Sequence, residues 1–279
     1  MIKQFNNRIP LLIKKSLATR KPLILFIGFG HLAKSLLSHR FIKNYNIHYI
    51  NSKNNILSLK DKKKVTKQSL DYRYIFLLVR PDVFKKIGNS FQSFIDKDSV
   101  VISCMAGVSV NSISQKLNNT NIIRIMPNVM AKNSLSQTFV YSKNKKILDK
   151  NLNYLLSTFG SVLYANNEDD LNVATAIFGS GPAFIAYIIN SYLLAAKNLS
   201  SKFKIKDDEL INLFHNVISS NDNSKDLENF VLSIASKKGT TQAGVKFLKS
   251  QNIKKMIYST LDRAYKRAKE ISVEKKRSK

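Results

Sequence analysis

Ile24-Leu25-Phe26-Ile27-Gly28-Phe29-Gly30-His31-Leu32-Ala33 carries an apolar run straight into a pair of glycines and then into a helix-forming stretch. An apolar strand that runs into a Gly-x-Gly turn and then straight into a helix matches the needs of a dinucleotide pyrophosphate. Gly28 lets the chain reverse tightly. Gly30 removes the Cβ that would hold the backbone away from phosphate oxygens, and Ala33, where a third glycine often stands, lets the helix pack close to the strand. The first N–H groups of that helix, those around His31 and Leu32, point toward the bound anion.

The next strand, Ile47–Ile50, bears on the choice of cofactor. An NAD site places Asp or Glu at the end of this strand to accept the ribose hydroxyls. Here Asn51-Ser52-Lys53 follows, and the first acidic residue of the chain is Asp61. Amide, hydroxyl and ammonium donors suit a 2′-phosphate, so the sequence predicts NADP(H) in preference to NAD(H).

Working outward, Tyr74–Val79, Val100–Cys104, Ile122–Ile125, Thr138–Tyr141 and Ser161–Tyr164 read as further strands. Helices are expected at Val110–Leu117 and Lys146–Phe159, and Arg80-Pro81-Asp82 opens another. Strands alternating with helices predict a Rossmann-type, doubly wound α/β sheet. After Glu168 the strand signals stop. Helices are expected over Pro182–Asn198, Asp207–Ser219, Leu227–Ala235, Gln242–Lys249 and Ile253–Ala268. The chain is thus divided into a basic extension (1–22), a dinucleotide-binding domain (23–165) and an all-helical domain (166–279).

Composition narrows the function classes. The formal net charge is +28 over 279 residues, but Lys and Arg are scattered along the chain with no zinc-finger spacing or RNA-binding aromatic motif, so nucleic acid is not expected as a partner. Cys104 is the only cysteine, which excludes an intrachain disulfide and fits a reducing cytoplasm. It ends a strand and is expected to be a buried thiol. His31, His39, His48 and His215 lack metal-ligand spacing, and no metal is assigned. The leader before the first strand admits two readings, a transit segment or a surface-packed extension. Val173–Ala196 is uncharged and long enough to cross a bilayer, but it contains Gly179-Ser180-Gly181-Pro182, Asn190 and Ser191; it is read as a buried helix preceded by a turn, and no membrane is expected.

Three further segments, Arg124-Ile-Met-Pro127-Asn128, Ala176-Ile-Phe-Gly179-Ser180-Gly181-Pro182-Ala-Phe184 and Ser236-Lys237-Lys238-Gly239-Thr240-Thr241-Gln242-Ala-Gly244, join the glycine turn in a fixed order. Together they resemble the pyrroline-5-carboxylate reductase family from about Leu23 to Lys269. The resemblance implies NADPH-dependent reduction of a cyclic imino acid to L-proline, and a helical domain that interlocks with a second copy, with higher assemblies of dimers known in the family. It implies that Ser236, Gly239 and Thr240 hold the substrate carboxylate and that Thr241, the catalytic candidate, hydrogen-bonds the ring nitrogen. Ser180 would contact substrate or cap the helix that Pro182 starts. Val79, Arg80, Pro81, Ala106, Gly107 and Asn128 would line the cofactor.

The chain departs from the family pattern at several places. Val129-Met130 replaces the usual Thr-Pro, Ser134 and Ser136 replace glycines, Asn190 replaces a glutamate, and Ser-Pro-Gly-Gly has become Ser236-Lys237-Lys238-Gly239. Those changes leave a working reductase, a reductase of a related imine and a decayed paralogue that binds NADP(H) without turnover as the alternatives. A hydroxyacid dehydrogenase would need a lysine in the first long helix of the second domain, and none occurs between Lys150 and Lys197.

Overall fold

A computed structural model describes residues 21–66, 71–200 and 204–273. The basic leader up to Arg20 lies outside the described residues. Two compact units divide between Leu171 and Asn172.

The first unit is organised on an eight-stranded sheet of β1 (Leu23–Ile27), β2 (Asn46–Ile50), β3 (Ile56–Ser58), β4 (Tyr74–Leu77), β5 (Val100–Ser103), β6 (Ile122–Met126), β7 (Ser136–Tyr141) and β8 (Gly160–Tyr164), in the order β3-β2-β1-β4-β5-β6-β7-β8. β1 runs parallel to both β2 and β4, and β4, β5 and β6 continue the parallel set; β2/β3 and β6/β7 are antiparallel. β3 was not anticipated, because three residues are too few for an alternation to show. It forms a narrow hairpin in which Leu57 bridges Lys64, so this edge of the sheet carries the run Lys62-Lys63-Lys64, a charge pattern that discourages strand addition.

The apolar run of β1 is explained by burial on both faces. Ile24 and Phe26 join Phe41, Phe76 and Phe159 on one side, while Leu25 and Ile27 join Phe84, Val101 and Ile113 on the other. Phe41 sits at the centre of the first cluster, with its ring centroid 5.0 Å from Phe159, 5.2 Å from Tyr45 and 5.9 Å from Phe26. The segment between β1 and β2 is broken into α1 (His31–Ser35) and α2 (His39–Asn44), because Ser38 leaves the helix to cap the second piece through Phe41 N at 3.1 Å and to donate to Thr158 O at 2.9 Å. Next come α3 (Pro81–Ile87), α4 (Val110–Leu117) and α5 (Lys150–Ser157). The last begins later than the expected Lys146, since Asp149 caps it by accepting from Leu152 N at 2.8 Å and Lys145–Ile147 forms a separate tight turn.

Helices are the regular elements of the second segment among its described residues: α6 (Asp170–Ala174), a wide π turn (Thr175–Gly179), α7 (Gly181–Leu199), α8 (Asp207–Ser219), α9 (Ser224–Ile234), α10 (Thr240–Ser250) and α11 (Ile253–Val273). The expected turn before Pro182 is in fact this π turn, continuous with the helices on either side. Nor is α7 a buried helix within one chain. Asp170–Leu199 has a mean hydropathy of 1.5 over its most apolar stretch, sufficient by length and composition to cross a membrane, yet only 22% of that stretch is buried. Ile185, Tyr187, Leu194, Leu232, Phe247, Met256 and Tyr258 are each more than half exposed, whereas Ala174, Ala176, Leu210 and Ala268 are the buried hydrophobics among the described residues of this unit. One copy of the helical unit therefore lacks a core of its own.

Truncation of Phe41 to Ala should cost about 3–5 kcal/mol, because the cavity would open among four aromatic neighbours that cannot all collapse into it. A denaturant titration that read less than about 1 kcal/mol would show that the cluster is not the centre of the first unit.

Candidate functional site

In an open α/β sheet, ligands bind outside the carboxyl ends of the strands where the strand order reverses. Here that point lies between β1 and β4. Gly28 follows β1 with φ +97°, and a Cβ built on it would stand 2.9 Å from both C and O of Leu78 and 3.0 Å from Val79 Cγ1. Thus the turn after β1 is pressed against the backbone that leaves β4, and Leu78 N donates to Ile27 O at 2.8 Å. Gly30 is different. Its φ is −84°, which any residue adopts, and an added Cβ would meet no atom within 4 Å. The protein itself gives no reason for glycine there. An external group approaching the backbone does, so the turn fits a pyrophosphate. Gly30 caps α1 without any side-chain bond, and the first turn has no acidic residue; the exposed His31 and half-buried Leu32 begin it.

Val79, Arg80 and Pro81 lie directly across from that turn. Val79 and Pro81 are half-buried and Arg80 is exposed, with Pro81 starting α3. After β2, Asn51 is occupied internally: its Oδ1 accepts from Lys53 N and Asn55 N, both at 3.0 Å, and so holds the β2–β3 turn. Ser52 and Lys53 are exposed on this turn, and their side chains are free to meet an anion. Phe29, between the two glycines, stacks on Tyr49 of β2 at 4.0 Å and 21°, which fixes the glycine turn beside the β2 end.

The carboxyl ends of β5 and β6 lie alongside. Cys104 N donates to Leu77 O at 3.1 Å, and Met105-Ala106-Gly107 then turns through Gly107 at φ +66°. Cys104 is buried, and desolvation pushes its thiol well above the ordinary cysteine range, so it is no nucleophile. Asn128 is buried at 4% exposure; its Oδ1 accepts from Met130 N at 3.0 Å and its N–H donates to Ser136 Oγ at 3.0 Å.

In the helical unit, Ser180 occupies the position before α7 with helical backbone angles and no side-chain capping bond. The expected cap is not made. Gly239 is the N-cap of α10, so the helix begins at Thr240 rather than near Gln242, and Thr240 and Thr241 form its first turn. The turn leading in is closed by Gly239 N donating to Ser236 O at 3.0 Å and by Lys238 N donating to Gln242 Oε1 at 2.9 Å. A Cβ on Gly239 would collide with the Ser236 hydroxyl. No side chain caps α10, and its first turn holds no acid, which leaves the N–H groups of that turn available to an anion.

Residues 168–271 match the family model described as pyrroline-5-carboxylate reductase dimerisation. The chain is 32% identical over 271 residues to the pyrroline-5-carboxylate reductase of Staphylococcus haemolyticus, with 89% of this chain and 97% of that protein covered. It is 31% identical over 272 residues to that of Staphylococcus aureus, with the same coverage. The chain belongs to the pyrroline-5-carboxylate reductase family. Among solved structures, the fold matches a Plasmodium falciparum pyrroline carboxylate reductase described with NADP bound, at TM-score 0.72 and 19% identity over 90% of this chain and 98% of that one. A Coxiella burnetii pyrroline-5-carboxylate reductase matches at TM-score 0.68 and 23% identity, covering 91% and 99%. The helical unit is accordingly the element through which members of the pyrroline-5-carboxylate reductase family self-associate.

Within the pyrroline-5-carboxylate reductase pattern, the substituted glycines now have physical explanations. Ser134 stands at φ +60° and Lys238 at φ +65°, both in the left-handed region where glycine is favoured. Ser136 repays its extra atoms by accepting from Asn128 N and sharing a hydrogen bond with Thr138 Oγ1 at 3.1 Å. Asn190 is exposed on α7. Sequence reasoning missed Arg124 and Glu168 as a pair, although a lone arginine inside Ile122-Ile123-Arg124-Ile125 was a signal that some acid must reach it.

Gly28→Ala should destabilise the fold by about 2 kcal/mol or more, through left-handed strain and the 2.9 Å clash with Leu78, whereas Gly30→Ala should cost no more than about 1 kcal/mol, the loss of a favourable N-cap, and weaken NAD(P)H binding. Equal losses of stability in the two variants would refute the assignment of Gly30 to a ligand. Lys238→Gly should raise stability by about 1 kcal/mol as the left-handed strain is released, read as a shift in thermal midpoint.

Proposed function

We propose that this chain reduces 1-pyrroline-5-carboxylate to L-proline, with NADP(H) preferred over NAD(H), as an interlocked homodimer or an assembly of such dimers in the cytoplasm. The observation that carries the reading is the 32% identity over 89% of this chain and 97% of the relative, with the Gly239–Thr241 turn inside the 168–271 segment that matches the family model. Residues 23–165 are taken as the NADP-binding domain and 166–279 as the substrate and dimerisation domain. Neither nucleic acid nor a membrane is part of this reading; the apolar face of α7 is assigned to the second copy.

The bound nicotinamide would supply hydride to the imine carbon. Everything else falls to the residues. Gly28, Gly30, His31 and Leu32 would hold the pyrophosphate through backbone N–H groups, Asn51, Ser52 and Lys53 would border the 2′-phosphate, and Val79, Arg80, Pro81, Ala106, Gly107 and Asn128 would line the rest of the cofactor. The substrate carboxylate would sit at the uncapped start of α10, held by the Thr240 N–H and the Ser236 hydroxyl, with Gly239, whose own N–H is taken by Ser236 O, lining the approach and Lys237 and Lys238 adding positive charge. Thr241, one residue further into the helix, would place its hydroxyl on the ring nitrogen and keep it protonated, which makes the imine carbon electrophilic without a metal. Ser180, whose hydroxyl caps nothing, is free to contact the substrate. Most of the rate gain in such a reaction comes from holding two reactants at hydride distance.

Reduced-nicotinamide absorbance, followed with purified protein and pyrroline-5-carboxylate, tests this directly, with NADPH and NADH in parallel and a binding titration for each. The expected outcome is imine-dependent oxidation, faster with NADPH, and a Thr241→Val variant that loses at least tenfold in kcat with its NADPH affinity unchanged. Tight NADPH binding with no turnover would overturn the reductase reading in favour of a decayed site, and full activity of Thr241→Val would remove Thr241 from the mechanism.

A further inference from the structure

Arg124 is the one charged residue inside β6, and its side chain is 6% exposed. It lies on the face of the sheet that carries α4, beneath the loop that runs from β5 into that helix. Its Nη1 donates to Glu168 Oε1 at 2.9 Å, and Nη2 reaches Met105 O at 3.5 Å. The same Glu168 oxygen accepts from Val110 N at 2.7 Å. One carboxylate oxygen therefore joins a buried strand to the first N–H of α4, and the arginine also reaches the carbonyl at the other end of the intervening loop. That loop, Met105-Ala106-Gly107-Val108-Ser109, holds two of the residues assigned to the cofactor, and Asn128 stands four residues beyond Arg124, just past the carboxyl end of the same strand.

The pair is buried on the arginine side and a quarter exposed at Glu168; desolvation of the guanidinium offsets much of the attraction, so an ion pair of this kind is a poor device for stability. This one is not even fully satisfied: Arg124 Nε is buried with no hydrogen-bond partner among the described residues. What the pair achieves that apolar side chains cannot is directional. It fixes a backbone N–H and a backbone carbonyl of one loop against a rigid strand.

We propose that Arg124 and Glu168 are positioning residues, a clamp anchored by the buried Arg124 that holds the Met105–Val110 backbone in register with the carboxyl end of β6, so that the nicotinamide half of the cofactor meets a preformed wall. The inference rests on the reductase reading for its link to turnover, and on the geometry alone for its link to the loop. On the same reading the pyrophosphate and the 2′-phosphate would be held elsewhere, by the Gly28–Gly30 turn and the end of β2, so loss of the clamp would separate affinity from rate. In free-energy terms the wall acts on orientation, where small displacements are costly.

Two variants test it. Glu168→Gln keeps the shape and an acceptor for Val110 N but removes the charge. The double variant Arg124→Met/Glu168→Leu replaces the pair by apolar groups and guards against a mere failure to fold. Each is assayed for thermal midpoint, NADPH affinity, kcat and amide hydrogen exchange over residues 105–112. Expected are an NADPH Kd within threefold of wild type in both, a kcat at least tenfold lower in both, a double variant whose thermal midpoint equals or exceeds that of wild type, and faster exchange confined to the Met105–Val110 segment. A double variant with wild-type kcat and wild-type exchange would overturn the clamp, as would an NADPH affinity that falls in step with kcat. If the wild-type chain turns over no imine, the reductase reading falls by itself, and the exchange comparison alone then decides whether the clamp orders the loop.

Discussion

No carbon atom fits between Gly28 and the main chain of Leu78. This closeness is the constraint on which the first unit depends. It brings the ends of β1 and β4 together at the place where the strand order reverses, and the bond from Cys104 N to Leu77 O carries the alignment on to β5. Each loop that could face a dinucleotide leaves the sheet from this aligned edge. The strands can be aligned so tightly because they are buried on both faces, with Phe26 on one side and Ile27 on the other at 0% exposure. The site is therefore a by-product of core packing: the same apolar runs that stabilise the sheet set the height at which the loops begin.

The helical unit follows a different economy. Its amphipathic helices bury little within one chain, and the polar turn at Ser236–Thr241 is formed by hydrogen bonds within a few residues. Local geometry there tolerates Lys238 in a left-handed conformation that glycine would adopt more easily. The distinctive backbone features of this unit are short-range ones, the π turn before Ser180 and the uncapped start of α10. Such features survive substitutions at their flanks, provided that the N–H groups keep their direction.

How much was legible in the sequence follows from the range of the interactions. The apolar strands, the Gly-x-Gly turn and Pro81 at the start of α3 were readable because each is determined by neighbours a few residues away. The Asp207–Ser219 helix was read to its ends because three acids crowd its first turn. β3 escaped, since three residues carry no alternation and its strand character comes from antiparallel pairing with β2, and the split of the β1–β2 crossover escaped because Ser38 answers to Thr158, 120 residues away. The Arg124–Glu168 pair spans 44 residues and was hidden for the same reason. The helix expected from Gln242 begins two residues earlier, at Thr240, because a glycine N-cap gives no side-chain signal of where a helix starts.

The exposed apolar faces of the helical unit also matter for the life of the chain in a cell. A newly made copy presents Tyr187, Leu199 and Tyr258 to water until it meets another, and in that interval it resembles the unfolded or partly folded species that chaperones hold and proteases remove. Abundance is then governed by encounter as much as by synthesis: below a threshold concentration unpaired copies are cleared, and above it they protect one another. A chain with intact catalytic residues but a damaged helical face would disappear from the cell before its chemistry could fail.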